Sequence, residues 1–414
     1  MWRCTSMKIT QLKLCRLVNI IGLVAFVVTP AVQGVDKGNS NFGMGWKSKA
    51  ALAGVGVVGA GIVAKKVGNC FAKEPNYPIV YHPNYNVSLL WGLERFIHPF
   101  DGCKYGRVAN FLYKEGVVHN FYTVTEPITE EELINEGIHT SEYLKSLSDS
   151  HTIAQIVGVP LSFVPHCLLD WKILKPMRYA TAGTVKAMEL ADKYGWGINI
   201  GGGYHHAKKD QGSGFCVYGD IQLAVKKYLD KHPDHKIMIV DLDAHQGNGH
   251  ESDLGDHPQV IIFDMYNGFN YPGLEEINEN IPKIDYNLPL TSTTPRWMFL
   301  GQDCYNHQKY IPLLKEHLTK AVVKEKPHLI IYNAGTDVWE KDLLGGLSVS
   351  KEDIIERDKV VFDSAFMNNS KIMMVTSGGY SLESADIIAQ SIKNIISTCV
   401  PKNENIVEDV EANV

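Results

Sequence analysis

The chain has 414 residues, of which 45% are hydrophobic and 21% charged, so it can form one large α/β domain or two smaller ones with a full core. The formal net charge of −6 leaves no basic excess to neutralise phosphates, and we therefore expect no direct binding of nucleic acid. The cysteines are widely spaced and form no C-x-x-C pair, which argues against a disulfide framework or a structural zinc knuckle.

The first 73 residues differ in composition from the rest of the chain. Lys8, Lys13 and Arg16 precede an apolar run over residues 17–28, a pattern typical of a secretory signal or an uncleaved membrane anchor. A second apolar stretch, residues 50–64, would be about 22 Å long as a helix, which is short for roughly 30 Å of hydrocarbon. Its GxGxxG sequence follows no strand, so a close-packing apolar helix is favoured over a dinucleotide loop. We predict a signal-like or anchor-like region over residues 1–73, with membrane association through it.

Residues 74–400 are predicted to form one domain with a single open, mostly parallel β-sheet and helices on both faces. Nearly continuous Ile/Val/Met runs predict parallel strands buried on both faces, over residues 196–200, 237–240, 260–263, 329–332 and 372–376. Helical patterns alternate with them, over residues 181–193, 221–231, 303–320, 351–366 and 381–397. Residues 401–414 are predicted to be a polar tail.

Each predicted strand ends in polar residues suited to a metal or to proton transfer. The five segments are residues 201–206 (GGGYHH), 241–245 (DLDAH), 264–267 (DMYN), 333–337 (NAGTD) and 377–380 (SGGY). In open parallel sheets the ligand crevice lies at the carboxyl ends of the strands. We therefore expect these segments to converge on one pocket.

Asp241, Asp243 and His245 are spaced so that an extended strand points all three to one side. Burying them there is costly unless they are paired or bind a metal. With Asp337 from another strand end, two carboxylates and one imidazole match the catalytic zinc pattern with an open position, and Fe(II), Co(II) or Mn(II) fit the same donors. The alternative is a hydrogen-bond network that only caps the strand ends.

The adjacent histidines His205 and His206 follow three glycines and are poor core residues, which favours general acid–base work beside a metal. Asp241 is suited to fix the tautomer of one imidazole and Asn248 to orient the other. Tyr380 follows a Gly-Gly turn and offers a phenol that can donate to a developing oxyanion. Standing alone, Tyr380 would be interpreted as a rim aromatic.

Several longer phrases carry a resemblance to a known family. They are Gly92-Leu93-Glu94-Arg95, His98-Pro99-Phe100-Asp101, Gly214-Phe215-Cys216, Asp243-Ala244-His245-Gln246-Gly247-Asn248-Gly249-His250-Glu251 and Tyr332-Asn333-Ala334-Gly335-Thr336-Asp337. With them, residues 81–397 resemble the zinc-dependent histone deacetylases of the arginase/deacetylase fold, and most closely the class IV branch. The resemblance implies that Asp243, His245 and Asp337 bind one Zn²⁺ ion.

The same resemblance implies further roles. His206 would be the base, His205 the partner of Asp241, and Tyr380 the group that polarises the scissile carbonyl. The tunnel for the lysine methylenes would be walled by Gly214, Phe215 and Tyr271, and a structural K⁺ would be held by the backbone around Asp241, Asp243 and His245 with Asp264 nearby. Asn248 stands where many relatives have an aspartate, and its neutral amide raises the basicity of the imidazole less than a carboxylate would.

The implied activity is removal of acyl groups from lysine side chains of histones or other proteins, with acetyl as the default and long fatty-acyl groups as further candidates. An acetylpolyamine or small-amine deacetylase on the same fold is the main alternative. An arginase-like dimetal hydrolase is less favoured because Gln246 and Asn248 are not carboxylates, and a non-catalytic scaffold of a repressor complex would have a broken ligand position, which this chain lacks. The location stays open, because the N-terminus suggests the secretory pathway or a membrane and the resemblance suggests the nucleus or cytoplasm.

Overall fold

The computed structural model describes residues 75–87, 101–290 and 307–400. The predicted N-terminal region, the polar tail, the motif residues 92–100 and the predicted helix start at 303–306 lie outside the described residues. Within the described part of the chain, no helix combines the length and the apolar character that crossing a membrane requires.

The described residues form one seven-stranded sheet in which all neighbouring strands are parallel. The strands are β1 (Ile79–Val80), β2 (Trp196–Asn199), β3 (Ile237–Asp241), β4 (Val260–Asn267), β5 (Tyr286–Leu290), β6 (Leu329–Asn333) and β7 (Lys371–Val375). Their order is β1-β2-β7-β6-β3-β4-β5. The prediction of a single open parallel sheet is confirmed, and the five predicted strands are the five inner ones.

The sheet is covered on both faces, which explains the continuous apolar runs. Met238 and Val240 of β3 belong to one buried cluster, whereas Ile237 and Ile239 belong to a second cluster. Alternate residues of a strand point to opposite faces, so these are two cores on the two sides of one sheet. A strand buried on both faces has no polar face to show in its sequence.

Six of the described α-helices lie between β1 and β2, and from β2 onward helices and strands alternate along the described chain. The helices are α1 (Lys104–Lys114), α2 (Glu130–Asn135), α3 (Ser141–Ser146), α4 (Ser150–Ile156), α5 (His166–Leu169), α6 (Lys175–Tyr194), α7 (Asp220–Lys231), α8 (Asn248–Leu254), α9 (Leu274–Asn280), α10 (His307–Glu325), α11 (Lys351–Met367) and α12 (Ser384–Thr398). Ile221 and Val225 of α7 pack into one core, and Ile388 and Ile392 of α12 pack into the other. Helices therefore lie on both faces, as predicted.

The site residues are positioned by four consecutive strands of the sheet, β2, β7, β6 and β3. Because these strands are parallel, the segments that follow them start at the same edge. Asp241, the last residue of β3, is in register with Asp264 of β4 and with Asn333 of β6. Residues that are distant in sequence are thus brought to one edge by backbone pairing alone.

Candidate active site

Asp243, His245 and Asp337 lie together at this edge and are buried. Their ligand atoms all lie within 4.8 Å of one another. Nδ1 of His245 is 3.0 Å from Oδ1 of Asp243 and 3.0 Å from Oδ2 of Asp337. Elsewhere among the described residues, no three His, Cys, Asp or Glu side chains meet in this way.

The protein alone leaves these donors only partly satisfied. Oδ1 of Asp337 accepts a 2.9 Å hydrogen bond from the backbone N–H of Ala244, but the buried Oδ2 accepts none, since the hydrogen bond of His245 Nδ1 goes to Asp243. Burial and the charge of Asp243 raise the pKa of Asp337 to about 7. Two buried carboxylates this close repel each other unless a proton or a cation compensates their charge. The donor set fits a zinc-class ion with an open coordination position.

The loop after β7 holds these carboxylates from the other side. Oδ2 of Asp243 accepts hydrogen bonds from Ser377 Oγ at 3.1 Å and from the backbone N–H of Gly378 at 3.0 Å. A Cβ atom at Gly378 would lie 2.5 Å from the Oδ2 atoms of both Asp243 and Asp337. Only glycine therefore lets the backbone approach so closely.

Asp241 is fully buried and accepts hydrogen bonds from three side chains. Its Oδ2 lies 2.8 Å from His205 Nδ1 and 2.9 Å from His250 Nε2, and its Oδ1 accepts from Asn333 Nδ2 at 2.9 Å. Burial alone would raise the pKa of Asp241, but His205 and His250 outweigh burial and hold it below its ordinary value. Asp241 thus stays ionised beside His205. The contact with His250 was not predicted, although that residue lies in one of the motif phrases.

The two adjacent histidines are in contrasting environments. Their ring centroids are 4.0 Å apart. Burial would lower the pKa of His205, but the charges of Asp241 and Asp243 prevail and raise it to about 9. Burial and the positive charges of His205 and His245 hold the pKa of His206 well below its ordinary value. At neutral pH the protein thus favours a charged His205 and a neutral His206, a pairing suited to dividing acid–base roles.

Asn248 is the partner of His206, as the sequence suggested. Nδ1 of His206 lies 2.6 Å from Oδ1 of Asn248. The amide nitrogen of Asn248 donates to Glu276 Oε1, also at 2.6 Å. Glu276 was not among the predicted residues, because it lies in a segment without any motif.

A cavity of about 710 Å³ leads to these residues. Its lining includes two of the three candidate site histidines, His206 and His245. The predicted tunnel residues Gly214, Phe215 and Tyr271 also line it, together with Tyr380. The ring of Tyr271 packs edge-on against His206, with centroids 4.7 Å apart, and Phe215 lies 5.7 Å from Tyr380. The wall is therefore aromatic, as an apolar alkyl chain would require.

Phe215 is held in a strained backbone conformation at this wall. Its φ angle is +67°, in the left-handed region that residues with a Cβ rarely adopt. Its N–H donates a 3.0 Å hydrogen bond to the carbonyl oxygen of Ile156. Such strain persists where the surroundings enforce it, which is common at ligand sites.

Tyr380 is buried at the inner end of the cavity, with its ring centroid 6.2 Å from that of His245. Its backbone N–H donates to Asp342 Oδ2 at 2.7 Å. Lys104, fully buried at the start of α1, donates to the carbonyl oxygen of Ser377 in the same loop. Lys104 and Asp342 were not predicted, because both act through backbone atoms far away in sequence.

Asp264, predicted near a structural K⁺, lies beside Asp241 on β4. Its Oδ2 accepts a 2.9 Å hydrogen bond from the N–H of Gly247, and its buried Oδ1 has no hydrogen-bond partner. Burial and the charges of Asp241 and Glu251 raise its pKa well above the ordinary value. The protein supplies no donor to this oxygen, and the carboxyl group of Glu251 is close enough to share a proton with Asp264.

Comparisons with known proteins agree with this architecture. A model of the histone deacetylase domain matches residues 98–398. The chain is 40% identical over 318 residues to histone deacetylase 2 of Arabidopsis thaliana, across 77% of this chain and 78% of that protein. It is 30% identical over 284 residues to the acetoin utilization protein AcuC of Staphylococcus aureus, across 66% of this chain and 63% of that one.

Among solved structures, the crystal structure of the HDA15 HD domain is similar with a TM-score of 0.59, covering 81% of this chain and 95% of that chain. At 18% identity this similarity establishes the fold alone. The class defined by the fold and the family match is a hydrolase of the deacetylase type. The chain belongs to the histone deacetylase family.

Proposed function

We propose that the chain is a zinc-dependent lysine deacylase of the class IV type. The observation that carries the proposal is the buried Asp243, His245 and Asp337 group at a cavity that His206 and Tyr380 also line. The resemblance carried by the motif phrases supports the class IV assignment. The aromatic-walled cavity suits an acylated lysine side chain of a protein. The methylenes of such a side chain are apolar and its amide group is polar.

Asp243, His245 and Asp337 would hold the ion. When bound, a zinc ion acts as a Lewis acid on a carbonyl oxygen and lowers the pKa of water to about 7. Asp264 and the backbone around Asp241 would hold K⁺, which would relieve the unsatisfied Oδ1 of Asp264.

The side chains then move the protons. His206, neutral and with Nδ1 directed to Asn248, takes a proton from the attacking water at Nε2. His205, kept cationic by Asp241, stabilises the negative charge that develops nearby. The phenol of Tyr380 donates to the substrate oxyanion, and a protonated histidine delivers a proton to the leaving lysine amine. The products are a free lysine side chain and a carboxylate.

Acetyl is the acyl group that fits best, because the space next to the larger cavity is small. A second cavity of about 30 Å³ lies beside the first and is lined by residues such as Tyr105, Met177 and Cys216. A cavity of this size can hold a water molecule or a small group. A long fatty-acyl chain is the further candidate. It would fit only if the small cavity opened or if the chain lay in the larger cavity beside the lysine side chain.

Asp210 supports one alternative, deacetylation of a small polyamine. It is exposed, and it is the one carboxylate among the described residues that line the larger cavity. A carboxylate at a cavity entrance attracts a cationic substrate. A single acidic residue also suits a basic peptide, so the peptide substrate remains the proposal.

The test is hydrolysis of acetyl-lysine peptide, myristoyl-lysine peptide and acetylpolyamine by the purified chain, with Asp210→Asn as the matched variant. We expect preference for an acylated peptide, with Asp210→Asn changing KM only modestly. A clear preference for acetylpolyamine that disappears in Asp210→Asn would establish the small-amine alternative. No hydrolysis of any of the three by zinc-loaded protein would contradict the proposed function.

A further inference from the structure

The side chain of Asn248 lies between His206 and a surface carboxylate. His206 Nδ1 is 2.6 Å from Asn248 Oδ1, and Asn248 Nδ2 donates to Glu276 Oε1 at 2.6 Å. Asn248 is fully buried, so water does not compete for either end of its amide. The three residues come from the loop after β2, the start of α8 and the first turn of α9.

We infer that Glu276 is a positioning residue that sets the tautomer of His206 through Asn248. The inference rests on the proposed function, in which His206 accepts a proton at Nε2. Glu276 lies in no motif and is not itself in contact with His206. Its effect on the reaction is therefore exerted through one intervening amide.

The donors and acceptors of the three groups fix the tautomer. An ionised carboxylate only accepts, so the amide end that faces Glu276 must be the NH₂ group of Asn248. Oδ1 of Asn248 then faces the ring, and Nδ1 of His206 must carry the proton. Nε2 is left with a lone pair, which is the form that a general base requires.

Without Glu276, nothing would specify which end of the Asn248 amide faces His206. An amide has two nearly isosteric ends, so a flipped Asn248 would present NH₂ to the ring and shift the proton of His206 to Nε2. In the presence of Glu276 the flip would bring two oxygen atoms into contact at the 2.6 Å separation of the present hydrogen bond. A charged acceptor also strengthens the correct arrangement, since charge-assisted hydrogen bonds are about twice as strong as neutral ones.

Lys208 holds the carboxylate of Glu276 in place. Its Nζ lies 2.5 Å from Oε1, the same oxygen atom that accepts from Asn248. The Glu276 side chain is 33% exposed, and ion pairs this close to solvent add little to stability. The contact with the buried amide therefore distinguishes Glu276 from an ordinary surface ion pair.

The kinetic test compares two single variants with a double variant. Glu276→Ala should lower kcat by about 10- to 100-fold with little change in KM, which is the usual effect of losing such a supporting hydrogen bond. Asn248→Asp should also lose activity, because the new carboxylate would face Glu276. The double variant Asn248→Asp/Glu276→Gln should recover most of the kcat, since the order of donors and acceptors is restored with the two groups exchanged.

Glu275→Gln is the matched control, because Glu275 is an exposed neighbour on the same helix. It should leave kcat, zinc content and melting temperature unchanged. A double variant no more active than the worse single variant would overturn the inference, and so would a Glu276→Ala protein with the kcat of the wild type.

A spectroscopic readout separates this inference from the proposed function. In ¹⁵N-histidine-labelled protein, with the His206 signals assigned by their loss in His206→Gln, the wild type should show the Nδ1–H tautomer alone. Glu276→Ala should show a mixture of both tautomers. An inactive wild type with this spectral change would refute the proposed function and keep the inference, whereas identical tautomers in both proteins would refute the inference.

Discussion

The Nζ atom of Lys104 donates a 2.7 Å hydrogen bond to the carbonyl oxygen of Ser377. It lies 3.4 Å from the carbonyl oxygen of Gly379. A fully buried ammonium thus anchors the loop that contains Tyr380 and contacts Asp243. Burial lowers the pKa of Lys104 to about 8, although the charges of Asp337 and Asp243 oppose the decrease.

The first prediction concerns the stability that Lys104 contributes. Because its pKa is 10.5 when unfolded and about 8 when folded, the unfolded chain binds the proton more strongly between these values, and the stability contribution rises with pH across that window. Urea unfolding of Lys104→Met should lack this rise, and the variant should lose about 1–3 kcal/mol through its unsatisfied carbonyls. Lys114→Met, at the exposed end of α1, is the control. Parallel pH profiles for Lys104→Met and the wild type would contradict the assignment.

The second prediction concerns the ligands. Asp243→Ala, His245→Ala and Asp337→Ala should each remove both the bound metal and the activity, because three protein ligands are the minimum of a catalytic zinc site. Metal content is measured by elemental analysis of the purified proteins. Glu340→Gln, an exposed carboxylate near Asp337, should keep both. Full metal occupancy in Asp337→Ala would show that Asp337 is not a ligand.

The third prediction separates the two histidines. His206→Ala should keep zinc but lose about 10²–10⁴-fold in kcat, the usual worth of general acid–base catalysis. His205→Ala should lose less, because a cationic His205 acts through its charge. Single-turnover rates of the two variants, with exposed His119→Ala as the control, make the comparison. A larger loss in His205→Ala would reverse the division of roles.

The fourth prediction concerns Tyr380. Its hydroxyl is expected to donate when the carbonyl oxygen becomes an oxyanion, so Tyr380→Phe should lower kcat much more than it raises KM. Removing one such donor costs about 2.7–4 kcal/mol in other enzymes, which corresponds to a loss of about 10²–10³-fold. Zinc content and melting temperature should not change. Near-normal kcat in this variant would mean that Tyr380 only lines the cavity.

The inner part of the sheet could be predicted because burial on both faces leaves an unmistakable apolar run, as in β3 and β6. The edge strands could not. β1 has only two residues, and β5 contains half-buried Tyr286 and Asn287 and an exposed Pro289, a composition that an edge tolerates and an inner strand does not. β4 continues through Asp264 to Asn267, where polar residues for the site interrupt the apolar pattern.

The site shows a similar division. The spacing of Asp241, Asp243 and His245 predicted one extended strand, but β3 ends at Asp241, and Asp243 and His245 follow in a bend. The structure brings Asp337 to Asp243 and His245 as predicted, whereas Asp241 contacts His205 and His250 instead. Their roles stay predictions. Lys104 and Glu276 have no local signal, because each contributes through one contact with a distant loop or side chain. Such contacts depend on how the chain packs, which no short motif encodes.

The central claim, hydrolysis that depends on a metal held by Asp243, His245 and Asp337, is tested most directly by removing and restoring the ion. Protein stripped with a chelator should stay folded and lose deacylation of an acetyl-lysine peptide. Adding one equivalent of Zn²⁺ should restore the rate in the wild type but not in Asp337→Ala. Undiminished deacylation by metal-free protein would contradict the account.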